Sequence, residues 1–187
     1  MQNKAIFLDR DGVLNDSIVK QGKPYPPAAL SELSIAEDVL PALELLKEQG
    51  YLLIGATNQP DVARGTTAQS VVESINQALM EHLPLDEIRV CYHDDADKCY
   101  CRKPLPGLLL QAAVDHNINL QESFMIGDRW KDVEAGVKAG CKTVWLNRDY
   151  AEQKPTQQPD FTATSMLQAA KWITEINLQG ESNEASR

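Results

Sequence analysis

Asp9 and Asp11 stand one residue apart in IFLDRDGVLND, where a short apolar run stops and Gly12 follows. An acidic pair at a strand end is by itself an ordinary solvated turn. It acquires chemistry when further carboxylates can reach it, and MIGDRWKDVEAG ends a second apolar run with Asp128 and, a helical turn on, Asp132. Carboxylates from two strand ends make an oxygen-rich pocket suited to magnesium, which takes a few carboxylates and keeps several waters. Their mutual repulsion calls for such a cation. Asp128 is the better direct ligand, although alone it reads equally as a turn residue or helix N-cap. Asp132 either orients the site or faces solvent.

A second constellation lies in CYHDDADKCYC, which presents Cys91, His93, Cys99 and Cys101 with one, five and one residues between successive members. Four thiolate or imidazole ligands on one folded-back loop satisfy tetrahedral zinc with no open position, the pattern of a structural site. The alternatives are buried thiols with an exposed His93, or a chance disulfide. Asp94, Asp95 and Asp97 would suit calcium, but the sulfur-rich set favours zinc. With three of four cysteines inside residues 91–101, this is a metal loop in a reducing compartment rather than a disulfide framework. Cys141 reads as a small core residue, and His82 and His116 as ordinary histidines near helix ends.

The elements that must position these groups follow from pattern. AIFLD, GYLLIGATN, EIRVCYH, SFMIGD and KTVWLN are short buried-type strands. Between them run helical patterns: Val39, Leu40, Leu43 and Leu46 closing at Gly50; Val71, Val72, Ile75 and Leu79 after caps at Thr66 and Thr67; PGLLLQAAVDHNI; and RWKDVEAGVKAG. The alternation predicts an α/β fold, a Rossmann-like three-layer parallel sheet with helices on both faces. Ligands bind such sheets beyond the carboxyl ends of the strands. There the first strand delivers Asp9 and Asp11, the second Thr57, Asn58 and Gln59, the third Cys91 and His93, and the fourth Asp128. Residues 16–31, opening with DSIVKQGKPYPPAAL, are proline-rich without clear periodicity and predict a long rim loop.

At 187 residues the chain fits one domain, residues 1–177, followed by a polar, frayed tail at 178–187. The net charge of −9 offers no basic stripe, which argues against nucleic-acid and anionic-membrane partners. An anionic ligand must then be held by a local basic cluster such as Arg102 and Lys103 in CRKP. MQNKAIFLDR lacks an apolar leader and no stretch reaches membrane-span length, so a cytoplasmic protein is expected.

FLDRDGVLND, TNQPDVARG, CRKPLPGLL and MIGDRWKDVEAG, in this order, resemble the motifs of the haloacid dehalogenase-like phosphohydrolases from about Ile6 to Leu146. They are more similar still to the branch that holds heptose 1,7-bisphosphate phosphatases and histidinol-phosphatase domains. The resemblance implies Asp9 as the nucleophile that forms an aspartyl-phosphate and Asp11 as general acid, then base. It implies magnesium held by the Asp9 carboxylate, the Asp11 backbone carbonyl and the Asp128 carboxylate. Thr57 and Asn58 would donate hydrogen bonds to phosphoryl oxygens, and Lys103 would place a positive charge beside them. Arg102 and Arg129 are candidates to grip a second anionic part of the substrate. Arg64 either joins them or caps its own loop. Zinc beside Cys101 would fix Arg102 and Lys103 in position.

Superfamily members often insert a cap domain, but neither Asp11–Thr57 nor Gly65–Cys91 has room for one. A capless, open site follows, with selectivity supplied by residues 16–31 and the zinc loop. The expected partner is a small phosphorylated metabolite, first the C7 phosphate of D-glycero-D-manno-heptose 1,7-bisphosphate, then histidinol phosphate or another phosphosugar; the rim segment GKPYPPAAL is less acidic than that branch leads one to expect. Two other classes compete. In a phospho-acceptor signalling domain the aspartyl-phosphate would persist, against which Asp11 argues. A zinc-stabilised binding module would leave the filled catalytic positions without purpose. A monomer is the default.

Overall fold

The computed structural model describes residues 2–184, with side-chain surroundings described to Leu178. Strand β1 (Ala5–Leu8) leads into a hairpin of β2 (Ile18–Lys20) and β3 (Lys23–Tyr25), then α1 (Val39–Glu48), β4 (Leu52–Asn58), α2 (Gln69–His82) and β5 (Glu87–Cys91). The chain continues through α3 (Gly107–Asp115), β6 (Phe124–Gly127), α4 (Trp130–Ala139), β7 (Lys142–Leu146), β8 (Phe161–Ala163) and α5 (Met166–Glu184). Six strands form one parallel sheet in the order β5-β4-β1-β6-β7-β8. Phe7 at its centre pairs with Ile54 on one side and Met125 on the other.

Period-two alternation splits the strands between two cores. Ile6, Leu8, Leu53 and Ile126 face α1, α2 and α5, whereas Ala5, Phe7, Ile54 and Met125 face α3 and α4. Phe124 joins the first core edge-on to Tyr51 and to Trp172 of α5. From β1 the chain steps outward to β4 and β5, then crosses back to β6 on the other side of β1 and steps outward again. Connections of one hand running in opposite directions leave a crevice at that reversal, beyond the carboxyl ends of β1 and β6. The expected three-layer α/β fold is present. Among the described residues there is no inserted cap domain, and no helix is long and apolar enough to cross a membrane.

Four local expectations change. Residues 16–31 are not wholly irregular: Gln21 and Gly22, at φ 52° and 75°, make the two-residue turn of the β2–β3 hairpin. Positive φ at both central residues matches strand twist. The hairpin tip is docked by the Ala151 N–H donating to the Gly22 carbonyl at 2.8 Å. β8 and α5 were not anticipated. α5 buries Met166, Ala169, Ala170 and Ile173, an i, i+3, i+4, i+7 stripe in which alanines supply half the apolar face. It carries helix on to Glu184, past the boundary set at residue 178; residues 185–187 lie outside the described residues. Finally, α2 opens after Ala68 with no side-chain cap. Thr66 and Thr67 instead close the preceding loop onto the Asp61 carbonyl through their backbone N–H groups.

Candidate active site

Asp9 follows directly on β1, where its N–H donates to the Ile126 carbonyl at 3.0 Å and ties the end of β1 to β6. The chain then turns at Gly12, φ 90°, where a Cβ would sit 1.9 Å from Asp128 Oδ2. Glycine there permits both the left-handed backbone and the approach of the two acidic loops. Arg10, fully buried, donates to both oxygens of Asp11 at 3.0–3.2 Å and to Asn76 Oδ1 at 3.0 Å. Asn15 and Gln59 also donate to Asp11, at 3.1 and 2.8 Å. Three side chains thus aim one carboxylate.

Lys103 is buried with its Nζ 2.8 Å from Asp9 Oδ1 and 2.6 Å from Asp132 Oδ1. Burial alone would lower its pKa, but the charges of Asp132 and Asp9 outweigh burial and raise it. The ammonium is therefore held charged. Asp132 is an orienting group rather than a solvent-facing one. Burial pushes its pKa up to about 6 against the pull of Lys103, and its Oδ2 accepts from the Arg129 N–H at 3.0 Å. A Cβ on Gly127 would lie 2.0 Å from the Asp132 Cβ, so β6 must end in glycine for α4 to start this close.

Asp128 is buried, and neither carboxylate oxygen has a hydrogen-bond partner. Burial, then the charges of Asp9 and Asp132, push its pKa well above the carboxylate range; the Tyr150 hydroxyl lies close enough to offset this only in part. Ligand oxygens of Asp9, Asp128 and Asp132 all fall within 4.8 Å of one another. Three buried carboxylates against the single Lys103 ammonium, two oxygens of them unpartnered, form a costly arrangement without a cation. The all-oxygen donor set fits a hard divalent ion such as magnesium.

Two neighbours from β4 complete the floor. Buried Thr57 accepts from Gln59 Nε2 at 3.0 Å, which leaves its own proton to donate elsewhere. Asn58 also lines the pocket, with its side-chain amide engaged by the backbone of Lys103. Its Nδ2 donates to the Lys103 carbonyl at 2.9 Å and its Oδ1 accepts from the Lys103 N–H at 3.0 Å. Asn58 is therefore a clamp on the backbone that carries Lys103.

These groups open into a pocket of about 260 Å³. Its walls come from the hairpin (Lys23, Tyr25), the loop after β4 (Arg64), the start of α4 (Arg129, Lys131) and Glu152. Arg102 is not among the lining residues: its Nε donates to Asp95 Oδ1 at 2.7 Å and it turns toward the His93 carbonyl. Arg129 does line the pocket, but Glu152 grips it at 2.7 and 2.8 Å. Arg64 sits at the rim, bound to Asp94 at 2.6 Å and Asp61 at 3.3 Å. No residue from 91 to 101 lines the pocket, so the hairpin and Glu152 shape it where the cysteine loop was expected to. Lys131, Lys23 and Glu152 were not singled out in the sequence. The available signal for Lys131 was a cation in the first turn of a helix, where the dipole disfavours one.

At the sheet edge, Cys91, His93, Cys99 and Cys101 converge. Sulfur–sulfur separations are 3.2, 3.6 and 3.7 Å, and His93 Nδ1 lies 3.3 Å from Cys101 and 3.6 Å from Cys91. A tetrahedral zinc with bonds of about 2.3 Å to sulfur needs ligand edges of about 3.8 Å, so the cage is close to closed around that ion. None of the four cysteines is disulfide-bonded. Cys141 stands apart, buried in the second core, where burial pushes its thiol up to about 12.

Residues 100–169 match the HAD-hydrolase-like family model. The chain is 39% identical over 146 residues to D-glycero-beta-D-manno-heptose-1,7-bisphosphate 7-phosphatase of Helicobacter pylori strain 26695, spanning 75% of this chain and 81% of that one. With its counterpart in strain J99 the identity is 36% over 179 residues, 91% and 97% of the two chains. The crystal structure of D,D-heptose 1,7-bisphosphate phosphatase from B. bronchiseptica, complexed with magnesium and phosphate, has a TM-score of 0.79 and 26% identity, covering 92% of this chain and 98% of that one. Sheet, strand-end carboxylates and relatives together define a haloacid dehalogenase-like phosphatase. Within that class the chain belongs to the D-glycero-beta-D-manno-heptose-1,7-bisphosphate 7-phosphatase family.

Proposed function

We propose that this protein removes the C7 phosphate of D-glycero-D-manno-heptose 1,7-bisphosphate through an aspartyl-phosphate on Asp9, all within a single domain in the cytoplasm. The observation that carries the reading is the near end-to-end match to relatives of that name, and the convergence of Asp9, Asp11, Thr57 and Lys103 on one pocket supports its chemistry. An Asp9 oxygen bonds to phosphorus as the bond to the sugar oxygen breaks, and Asp11 gives the departing oxygen its proton. Asp11 next takes a proton from water, whose oxygen bonds to phosphorus and releases phosphate from Asp9. Arg10, Asn15 and Gln59 hold Asp11 at the angle both transfers need. The Lys103 ammonium and Thr57 hydroxyl stabilise charge on the phosphoryl oxygens. When magnesium is bound by the Asp9 and Asp128 carboxylates and the Asp11 carbonyl, the neutralisation it supplies lets an anionic nucleophile approach an anionic phosphate.

Cys91, His93, Cys99 and Cys101 are assigned to a closed structural zinc site, two residues from Lys103 along the chain. The ion would hold the loop from which Asn58 receives Lys103. Phosphate release with magnesium, measured on heptose 1,7-bisphosphate, histidinol phosphate and a panel of sugar phosphates beside Asp9→Asn, tests the assignment. Selective turnover of the heptose bisphosphate, absent in Asp9→Asn, is expected. Preference for another compound discards the sugar, and no release from any discards the phosphatase reading.

A further inference from the structure

The turn after β7 is pinned to three other parts of the chain. The Asn147 N–H donates to the Ala163 carbonyl of β8 at 2.9 Å, Arg148 Nε to the Gly12 carbonyl at 3.1 Å, and the Ala151 N–H to the Gly22 carbonyl at the hairpin tip at 2.8 Å. Between these anchors Asp149, at φ 53°, turns the backbone, and Tyr150 follows it, half-buried. A Cβ on Gly12 would lie 3.0 Å from the Tyr150 hydroxyl as well as 1.9 Å from Asp128 Oδ2. The space that glycine leaves open is therefore shared by those two groups. Ser17 Oγ and both Asp128 oxygens are buried without a hydrogen bond of good geometry, and the Tyr150 hydroxyl is within reach of both residues. Its one proton and two lone pairs suit a carboxylate on one side and a serine hydroxyl on the other.

Tyr150 is not among the residues that line the substrate pocket. It borders a separate cleft of about 20 Å³ together with Asp128, Trp145 and Arg148. Trp145 Nε1 already donates to the Asp128 backbone carbonyl at 3.0 Å. The backbone of Asp128 is thus fixed, and its carboxylate remains to be aimed.

We propose that Tyr150 is a positioning residue of the magnesium site: its hydroxyl, steadied by Ser17, holds one oxygen of Asp128 so that the other is presented to the ion. This rests on the assignment of magnesium to Asp9, Asp11 and Asp128. Partners of this kind orient a ligating group, and their loss weakens metal binding about 10- to 100-fold.

The test titrates magnesium into protein dialysed against magnesium-free buffer, without substrate, and follows the rise in thermal midpoint. A second titration follows phosphate release at saturating heptose 1,7-bisphosphate. Wild type, Tyr150→Phe and Ser17→Ala are compared with Tyr51→Phe, which removes a hydroxyl bonded to Asn177 in the first core. Tyr150→Phe should raise the half-saturating magnesium about tenfold in both titrations, with KM for the sugar unchanged once magnesium saturates. Ser17→Ala should raise it by less and Tyr51→Phe not at all. Should Tyr150→Phe fail to fold, Ser17→Ala decides alone. An unchanged half-saturation, an equal shift in Tyr51→Phe, or a loss carried by KM at saturating magnesium overturns the role of Tyr150 and leaves the metal assignment standing. A wild-type midpoint and activity that ignore magnesium overturn the metal assignment and this inference with it.

Discussion

The carboxylate cluster at the sheet centre and the cysteine loop at its edge are both shaped for a metal, yet they are built oppositely. Asp9, Asp128 and Asp132 come from strand ends more than a hundred residues apart, and two oxygens are left without partners. Cys91, His93, Cys99 and Cys101 come from eleven consecutive residues and nearly close a four-sided cage by themselves. A hard, incomplete donor set leaves coordination positions for substrate and water, whereas a soft, complete one leaves none. One cluster depends on the whole fold to exist. The other organises a segment too short to carry a core.

If that contrast is right, the two sites should fail in different currencies. Asp9→Asn should lower kcat on the order of 10⁴-fold or more, as loss of a nucleophile does. Its thermal midpoint should hold or rise, because a buried carboxylate beside two others is relieved. A parallel collapse of midpoint and activity would make Asp9 a fold residue and dissolve the contrast.

Cys99→Ser, or removal of zinc by a chelator, should show the converse: a fall of roughly 10 °C in midpoint, corresponding to about 3–4 kcal/mol in a chain this size, with a smaller loss of kcat transmitted through Lys103. Unchanged midpoint and kcat after zinc removal would refute the coupling of the loop to Lys103. Asn58→Ala sharpens the same link from the β4 side. It deletes two hydrogen bonds to the Lys103 backbone, so kcat should drop about tenfold with KM held, equivalent to about 1.4 kcal/mol. A change carried by KM instead would return Asn58 to substrate binding.

The smallest effect separates Cys141 from the thiols of the cysteine loop. Burial pushes it from 9.0 to about 12, so below pH 9 folded and unfolded chains both keep the proton. Above pH 9 the unfolded chain releases it while the folded chain holds it, and stability declines as pH rises towards 12. At pH 10 the loss is about 1.4 kcal/mol. Between pH 8 and 10 the wild type should therefore lose roughly 3 °C more than Cys141→Ala. Equal slopes would mean that the thiol is hydrated in the native state.

Much of this was legible in the sequence because buried parallel strands write themselves as short apolar runs, and a ligand-bearing residue just past such a run is placed by the fold itself. Asp9, Asp11, Thr57 and Asp128 were readable on that ground, and the cysteine loop from local spacing alone. Partnership was not legible. Asn58 and Arg102 have the right chemistry for a phosphate, but their hydrogen bonds go to Lys103 and Asp95, choices set by side-chain geometry across the sheet. Nothing along the chain shows that Lys131 lines the pocket. α5 was missed because alanine contributes little hydropathy while filling close helix–helix contacts.

The rim hairpin is tied at its tip by one backbone hydrogen bond to Ala151, while the groups proposed to touch the transferred phosphorus sit at or just past strand ends or on the loop before α3. Selection and chemistry are thus carried by separable parts. Exchanging residues 18–25 for another two-stranded ribbon is expected to leave Asp9 and Lys103 in place, which makes this segment the natural place to graft a different substrate preference onto the same phosphatase.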